Sequence, residues 1–286
     1  MWVAALGYLA ALSTVWAQSD ESSARLVRKT VENETSSNHN ALKFMFLDRK
    51  ETAHGSQTKL IVETRQATAG MLVAINGKPL TPAQRQAEKT RLDRLLENPD
   101  ELRKKEKSEK EDADHTERII KALPDAFLYE PDGTEVSHPG VGKTVDELVR
   151  LRFRPNHSYH PPSRVEQVLE GMQGYVLIDA GKHRIAKIDG TLIKTVSFGW
   201  GFLGHLDKGG HFLVEQAEIG EGAWEVTRMD LDFTGKELLF KSFSVKSNEV
   251  FSDFRPALAD LTFAQGVDLL KKEEAELAQS MKGDPH

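Results

Sequence analysis

From Gly174 to Phe254 the chain alternates polar and apolar residues in short runs, each closed by a break built on glycine. Period-two alternation puts every second side chain on one face of a strand, and short glycine-centred breaks are what hairpins need. The breaks are Ala180-Gly181-Lys182, Asp189-Gly190, Gly220-Glu221-Gly222 and Thr234-Gly235-Lys236. They predict strands over 175–179, 183–189, 191–199, 210–219, 223–233 and 237–247. Trp224, Val226, Met229, Leu231 and Phe233 keep the alternation with one register shift, the mark of a bulge. A meander of this kind is an antiparallel sheet that buries one face.

Upstream, 41–50, 58–66, 70–75, 126–130 and 148–154 also read as strands. Asn76-Gly77 is a tight-turn signal, since both residues tolerate positive φ. In 148–154, Val149, Leu151 and Phe153 oppose Arg150, Arg152 and Arg154. A sheet of about nine strands or more has to curl or be covered. The covers are helical: an amphipathic run at 20–35, a short helix capped by Ser163, and a C-terminal helix over 262–281 with Phe263, Val267, Leu269, Leu270 and Leu277. The fold class is therefore α+β, a curved antiparallel sheet with helices packed against it.

One helical stretch stands apart. Thr81-Pro82 starts a helix over 82–97, and Asn98-Pro99-Asp100 opens a second that Pro124 is expected to end. Residues 101–118 are mostly Lys, Arg, Glu and Asp. The insertion at 81–122 reads as a solvated helical pair held by i,i+4 ion pairs, or as an arm that contacts a protein partner.

Met1 to Ala17 carries no charged side chain and ends in Val15-Trp16-Ala17, the pattern of a secretory signal peptide cut after Ala17. The expectation is a periplasmic or secreted protein whose residues 18–286 form a single domain, with peripheral membrane contact at most. The chain has no cysteine, which excludes disulfides, thiolate metal sites, cysteine catalysis and lipid attachment near the cut. A net charge of −6 argues against a nucleic-acid partner.

Catalytic signals are sparse. There is no His-Glu-x-x-His and no Gly-x-Ser-x-Gly. Gly140-Val141-Gly142-Lys143-Thr144 lacks the first glycine of a phosphate loop, Ser137 standing in its place. The best metal or acid–base group is His205, Asp207 and His211, which would suit a metal-dependent hydrolase. Neither a cofactor nor a catalytic residue is assigned, and the chain is read as no enzyme. The unusual stretch is Phe198-Gly199-Trp200-Gly201-Phe202-Leu203-Gly204. Its aromatics either fill the core of a bent strand or line an apolar mouth, with Gly199–Gly210 as the hinge. In the second case Phe198, Trp200, Phe202, Phe212 and Trp224 are the expected ligand-binding residues.

Gly174-Tyr-Val-Leu-Ile-Asp179 followed by His183-Arg-Ile-Ala-Lys-Ile-Asp-Gly190 resembles a strand pair of the outer-membrane lipoprotein carrier and sorting proteins, the LolA/LolB-like superfamily. Lys208-Gly209-Gly210-His-Phe fits a further strand of that sheet, and the likeness covers about 145–255. The whole chain also resembles uncharacterised exported bacterial proteins of that type. The resemblance implies a half-open barrel wrapped around helices, whose concave side holds the acyl chain of a lipid or lipoprotein. The insertion at 81–122 is not a usual part of that family. The resemblance carries over architecture and ligand class, and no individual residue.

Overall fold

The structure is a computed structural model that describes residues 22–36, 42–143, 146–198, 204–220, 222–237 and 241–280. The proposed signal segment and the aromatics Trp200 and Phe202 lie outside the described residues. The fold is α+β. Its strands are β1 (Lys43–Thr52), β2 (Gly55–Val62), β3 (Ala69–Ile75), β4 (Lys78–Pro79), β5 (Phe127–Val136), β6 (Glu147–Pro155), β7 (Met172–Asp179), β8 (Arg184–Leu192), β9 (Val196–Phe198), β10 (Gly204–Leu206), β11 (His211–Gly220), β12 (Ala223–Glu237) and β13 (Lys241–Ala257). The helices are α1 (22–36), α2 (Pro82–Glu97), α3 (Pro99–Ala126), α4 (Arg164–Gln167) and α5 (Phe263–Ser280). The strands form one large antiparallel sheet in the order β4-β3-β2-β1-β13-β12-β11-β8-β7-β6-β5, with β9 and β10 off this path. The sheet is open, ending at β4 and β5. Among the described residues no helix is long and apolar enough to cross a membrane.

The chain divides into two compact units, and the boundaries cut through α3, β12 and β13. The second unit holds β1 to β4, α2, the start of α3, the later part of β13 and α5. Its core joins Met45, Leu60, Val62, Ala69 and Met71 of the strands to Leu92 of α2 and Phe263, Val267 and Leu270 of α5. The expected turn forms at Asn76-Gly77, with φ of 49° and 70°. Thr81 caps α2 in a reciprocal box with Gln84. On α3 the expected i,i+4 pairs are present at Lys105–Glu109, Lys107–Glu111 and Lys110–Asp114, and Glu117–Lys121 repeats the pattern nearer its end.

The first unit holds α1, the end of α3 from His115, β5 to β11, and parts of β12 and β13. Two sequence expectations fail here for one reason. Asp189-Gly190 and Thr234-Gly235-Lys236 are not breaks, because β8 and β12 run straight through them. A Cβ at Gly190 would lie 2.4 Å from the ring of Phe212, and one at Gly235 would lie 2.2 Å from the carbonyl oxygen of His205. These glycines serve close approach inside a sheet instead of a turn. Pro124 does not end α3, which runs on to Ala126. A proline in the last turn forfeits one hydrogen bond, and the nearby carbonyl of Leu123 is met at 2.9 Å by the hydroxyl of Tyr129.

Candidate functional site

The site grows from two periodicities in the first unit. Val27 and Val31 are four apart on α1 and turn one apolar stripe inward, as both are buried. Met172, Val176 and Ile178 share one face of β7, with Gly174 between the first two. A register shift at Leu177/Ile178 then lets β8 add both Ile185 and Ile188 to that face. Phe127 and Tyr129 come from β5, Phe153 from β6, and Ile119, Ile120 and Leu123 from the end of α3. Together they bury one face of the sheet under two helices.

Packing there is incomplete. A cavity of about 70 Å³ remains, lined by α1, α3 and strands β5 to β8 and β11. Among the described residues every one on its wall is apolar except Thr30, and Tyr129 spends its hydroxyl on the Leu123 carbonyl. The hydroxyl oxygen of Thr30 is buried and has no hydrogen-bond partner among the described residues.

The expected ligand residues divide between two faces. Phe212 lines the cavity, and Phe198 packs against the same apolar cluster. Trp224 does not join them. It is buried in a separate cluster with Val141, Leu148, Leu177 and Ala186, 5.7 Å from the Arg184 guanidinium. Trp200 and Phe202 fall outside the described residues. The wall residues of α1, α3 and β5 to β8 were missed as a site, although the 27/31 spacing and the 172/176/178 alternation mark each as inward-facing.

The end of α1 is tied to the β7–β8 hairpin by polar contacts, buried at Glu34 and more open at Asn33. Glu34 accepts a hydrogen bond from the Ile185 backbone at 2.7 Å and pairs with Arg184 at 3.1 Å. Asn33 donates to the carbonyls of Lys182 and His183 at 3.2 and 3.1 Å. Burial pushes the Glu34 carboxyl above its ordinary 4.5, and Arg184 and the Ile185 amide only partly offset this. The sign follows directly. Between the ordinary value and the raised one, the folded chain holds a proton that the unfolded chain has released. The contribution is therefore full below the ordinary value and is lost as pH rises through the raised one. Urea midpoints of the wild type and Glu34→Gln, taken from about pH 5 to about pH 7.5, test it. The variant starts from a lower stability, so the slope is the readout: the wild type should lose stability with rising pH more steeply. Parallel curves would remove Glu34 as the source.

His205, Asp207 and His211 do not assemble as a metal group. His205 pairs with Asp207 at 3.2 Å, whereas His211 turns to Asp189 on the neighbouring strand at 2.9 Å. Among the described residues no group of three His, Asp or Glu is placed to hold a metal ion. The Gly140–Lys143 stretch is no phosphate loop either, since Gly142 bridges to Ala217 and strand β6 follows, not a helix. In the second unit a more polar cleft of about 520 Å³ includes Asp48, Lys59, Glu88, Arg91 and Lys105 in its lining. Glu88 is already committed there to Arg91 and to the Leu72 amide. Comparison of the chain with protein-family models, with curated proteins and with solved structures finds no match.

Proposed function

We propose that the chain is an exported, non-catalytic binder of a hydrophobic ligand, such as the acyl chain of a lipid or lipoprotein. The ligand would sit between sheet and helices of the first unit, and the sheet would curve there as a half-open barrel of the carrier and sorting type. The observation that supports this reading is the apolar cavity under α1 and the end of α3. Its volume is far below the roughly 300–1,000 Å³ of ordinary ligand sites. Filling it with a chain therefore requires α1 or α3 to shift outward. Burial supplies the drive, at about 0.8 kcal/mol for each CH₂ taken from water. The polar ties of Glu34 and Asn33 hold α1 at one end, so the helix can lift without unfolding the strands.

Native and then denaturing mass spectrometry tests the reading on the mature chain, purified without detergent from the exported fraction. The expected result is a lipid-sized adduct that leaves on denaturation, or uptake of an added fatty alcohol or lipopeptide by an empty protein. An empty chain that takes up nothing would leave the cavity as a packing defect and end the proposal.

A further inference from the structure

We infer that the cavity under α1 is built for an uncharged ligand with a single hydrogen-bonding group, and that this group meets the hydroxyl of Thr30. The inference rests on the hydrophobic-ligand reading and names the class of ligand.

Helical threonines and serines commonly return their hydroxyl to the carbonyl four residues back. Thr35 does so on this same helix, to Val31 at 2.9 Å, and Ser36 does so to Glu32 at 2.7 Å. Thr30 does not, although it is wholly buried and lines the cavity. A buried hydroxyl without a partner is costly, and a valine would fill the same space without that cost. Water is a poor answer, because buried waters make about three hydrogen bonds and this wall offers one free polar group. The remaining partner is a polar atom carried in by the ligand itself.

The wall also limits what that atom can be. Among the described residues no Lys, Arg or His lines the cavity, and the other hydroxyl, that of Tyr129, is committed to Leu123. A carboxylate or phosphate would be buried there without a counter-charge, which is prohibitive. A neutral alcohol or carbonyl on an apolar chain fits, since the Thr30 hydroxyl both donates and accepts.

The probes are 1-octanol, n-octane and octanoate, titrated into the wild-type protein and into Thr30→Val and Thr30→Ser, with binding followed by isothermal titration and by methyl NMR shifts. The wild type should bind octanol about tenfold more tightly than octane, the worth of one hydrogen bond, and octanoate weakest at neutral pH. Thr30→Val should erase the preference for octanol by weakening that ligand alone, and Thr30→Ser should keep it. Equal octanol and octane affinities in the wild type would overturn the inference, whether or not Thr30→Val folds. So would an octanol affinity unchanged in Thr30→Val, or octanoate binding as tightly as octanol. In those cases apolar binding survives and only the role of Thr30 falls. If neither octanol nor octane binds the wild type, the inference falls together with the reading beneath it.

Discussion

Replacing Arg184 with alanine is expected to cost about 3–5 kcal/mol of stability, the usual result of removing one partner of a buried ion pair. Both side chains are nearly sealed from water, with 10% of Arg184 and 5% of Glu34 exposed. Burial already raises the Glu34 carboxyl. Without the guanidinium, Glu34 keeps only the Ile185 amide as a partner among the described residues and must take up a proton or drag water in. The guanidinium also lies near the ring of Trp224, so its loss loosens the cluster on the far face of the sheet. Urea unfolding at neutral pH measures the cost. The double variant Glu34→Leu/Arg184→Met separates charge from packing: it should recover most of the loss, because an apolar pair of similar volume avoids the desolvation penalty. A single-variant loss below about 1 kcal/mol would mean that water already reaches the pair.

Gly174→Ala is expected to be at least as damaging. A Cβ at this position would lie 1.8 Å from the carbonyl oxygen of Asp189 and 2.9 Å from the Cα of Gly190. Both are backbone atoms of the strand paired with β7, and Gly174 stands directly opposite Gly190. No rotamer change relieves such a clash, so β7 and β8 must part. Overpacking of this kind costs about 1–3 kcal/mol when side chains can yield, and more when only backbone can. The expected outcome is a loss above about 3 kcal/mol or failure to accumulate folded protein. Gly181→Ala on the adjoining turn is the control. Its Cβ would meet nothing nearer than Asp179 at 3.4 Å, an ordinary contact, and should shift stability by less than about 0.5 kcal/mol. Equal effects of the two substitutions would sink the close-approach account.

The Gly174–Gly190 pair also shows why part of the fold was legible in the sequence and part was not. Local rules sufficed for β1, β3, the Asn76-Gly77 turn, the Thr81 cap and the Arg/apolar alternation of β6, because each depends on residues a few positions apart. Gly190 looks the same in sequence whether it turns a chain or lets a phenylalanine ring rest on a strand. The difference lies in Phe212, which reaches it from another strand. The insertion was read correctly as two helices, but its last turn was lost at Pro124, because a proline this close to a helix end forfeits only a single hydrogen bond. The candidate site was half legible. Phe198 and Phe212 reach the inner cluster, yet alternation within β11 and within β12 does not fix the parity between them. The turn at Gly220 and Gly222, both at positive φ, separates the two counts, and Trp224 emerges on the other face. Thr30 carried no signal at all, because a lone threonine on a helix is ordinary until its surroundings are known.

The contact between Glu34 and Ile185 spans 151 residues of chain. Neither unit is a continuous stretch of sequence, since each takes pieces from both sides of the other. During synthesis α1 emerges early, and strands β7 and β8 of its apolar seat follow only long after. The C-terminal helix, which completes the other core, comes last of all. Such a chain pairs its consecutive strands locally, yet completes neither core until late in synthesis. On the export proposed above, the chain has to thread a narrow channel before it folds, and late closure is an asset. It also means that truncating either end should leave no autonomous half behind.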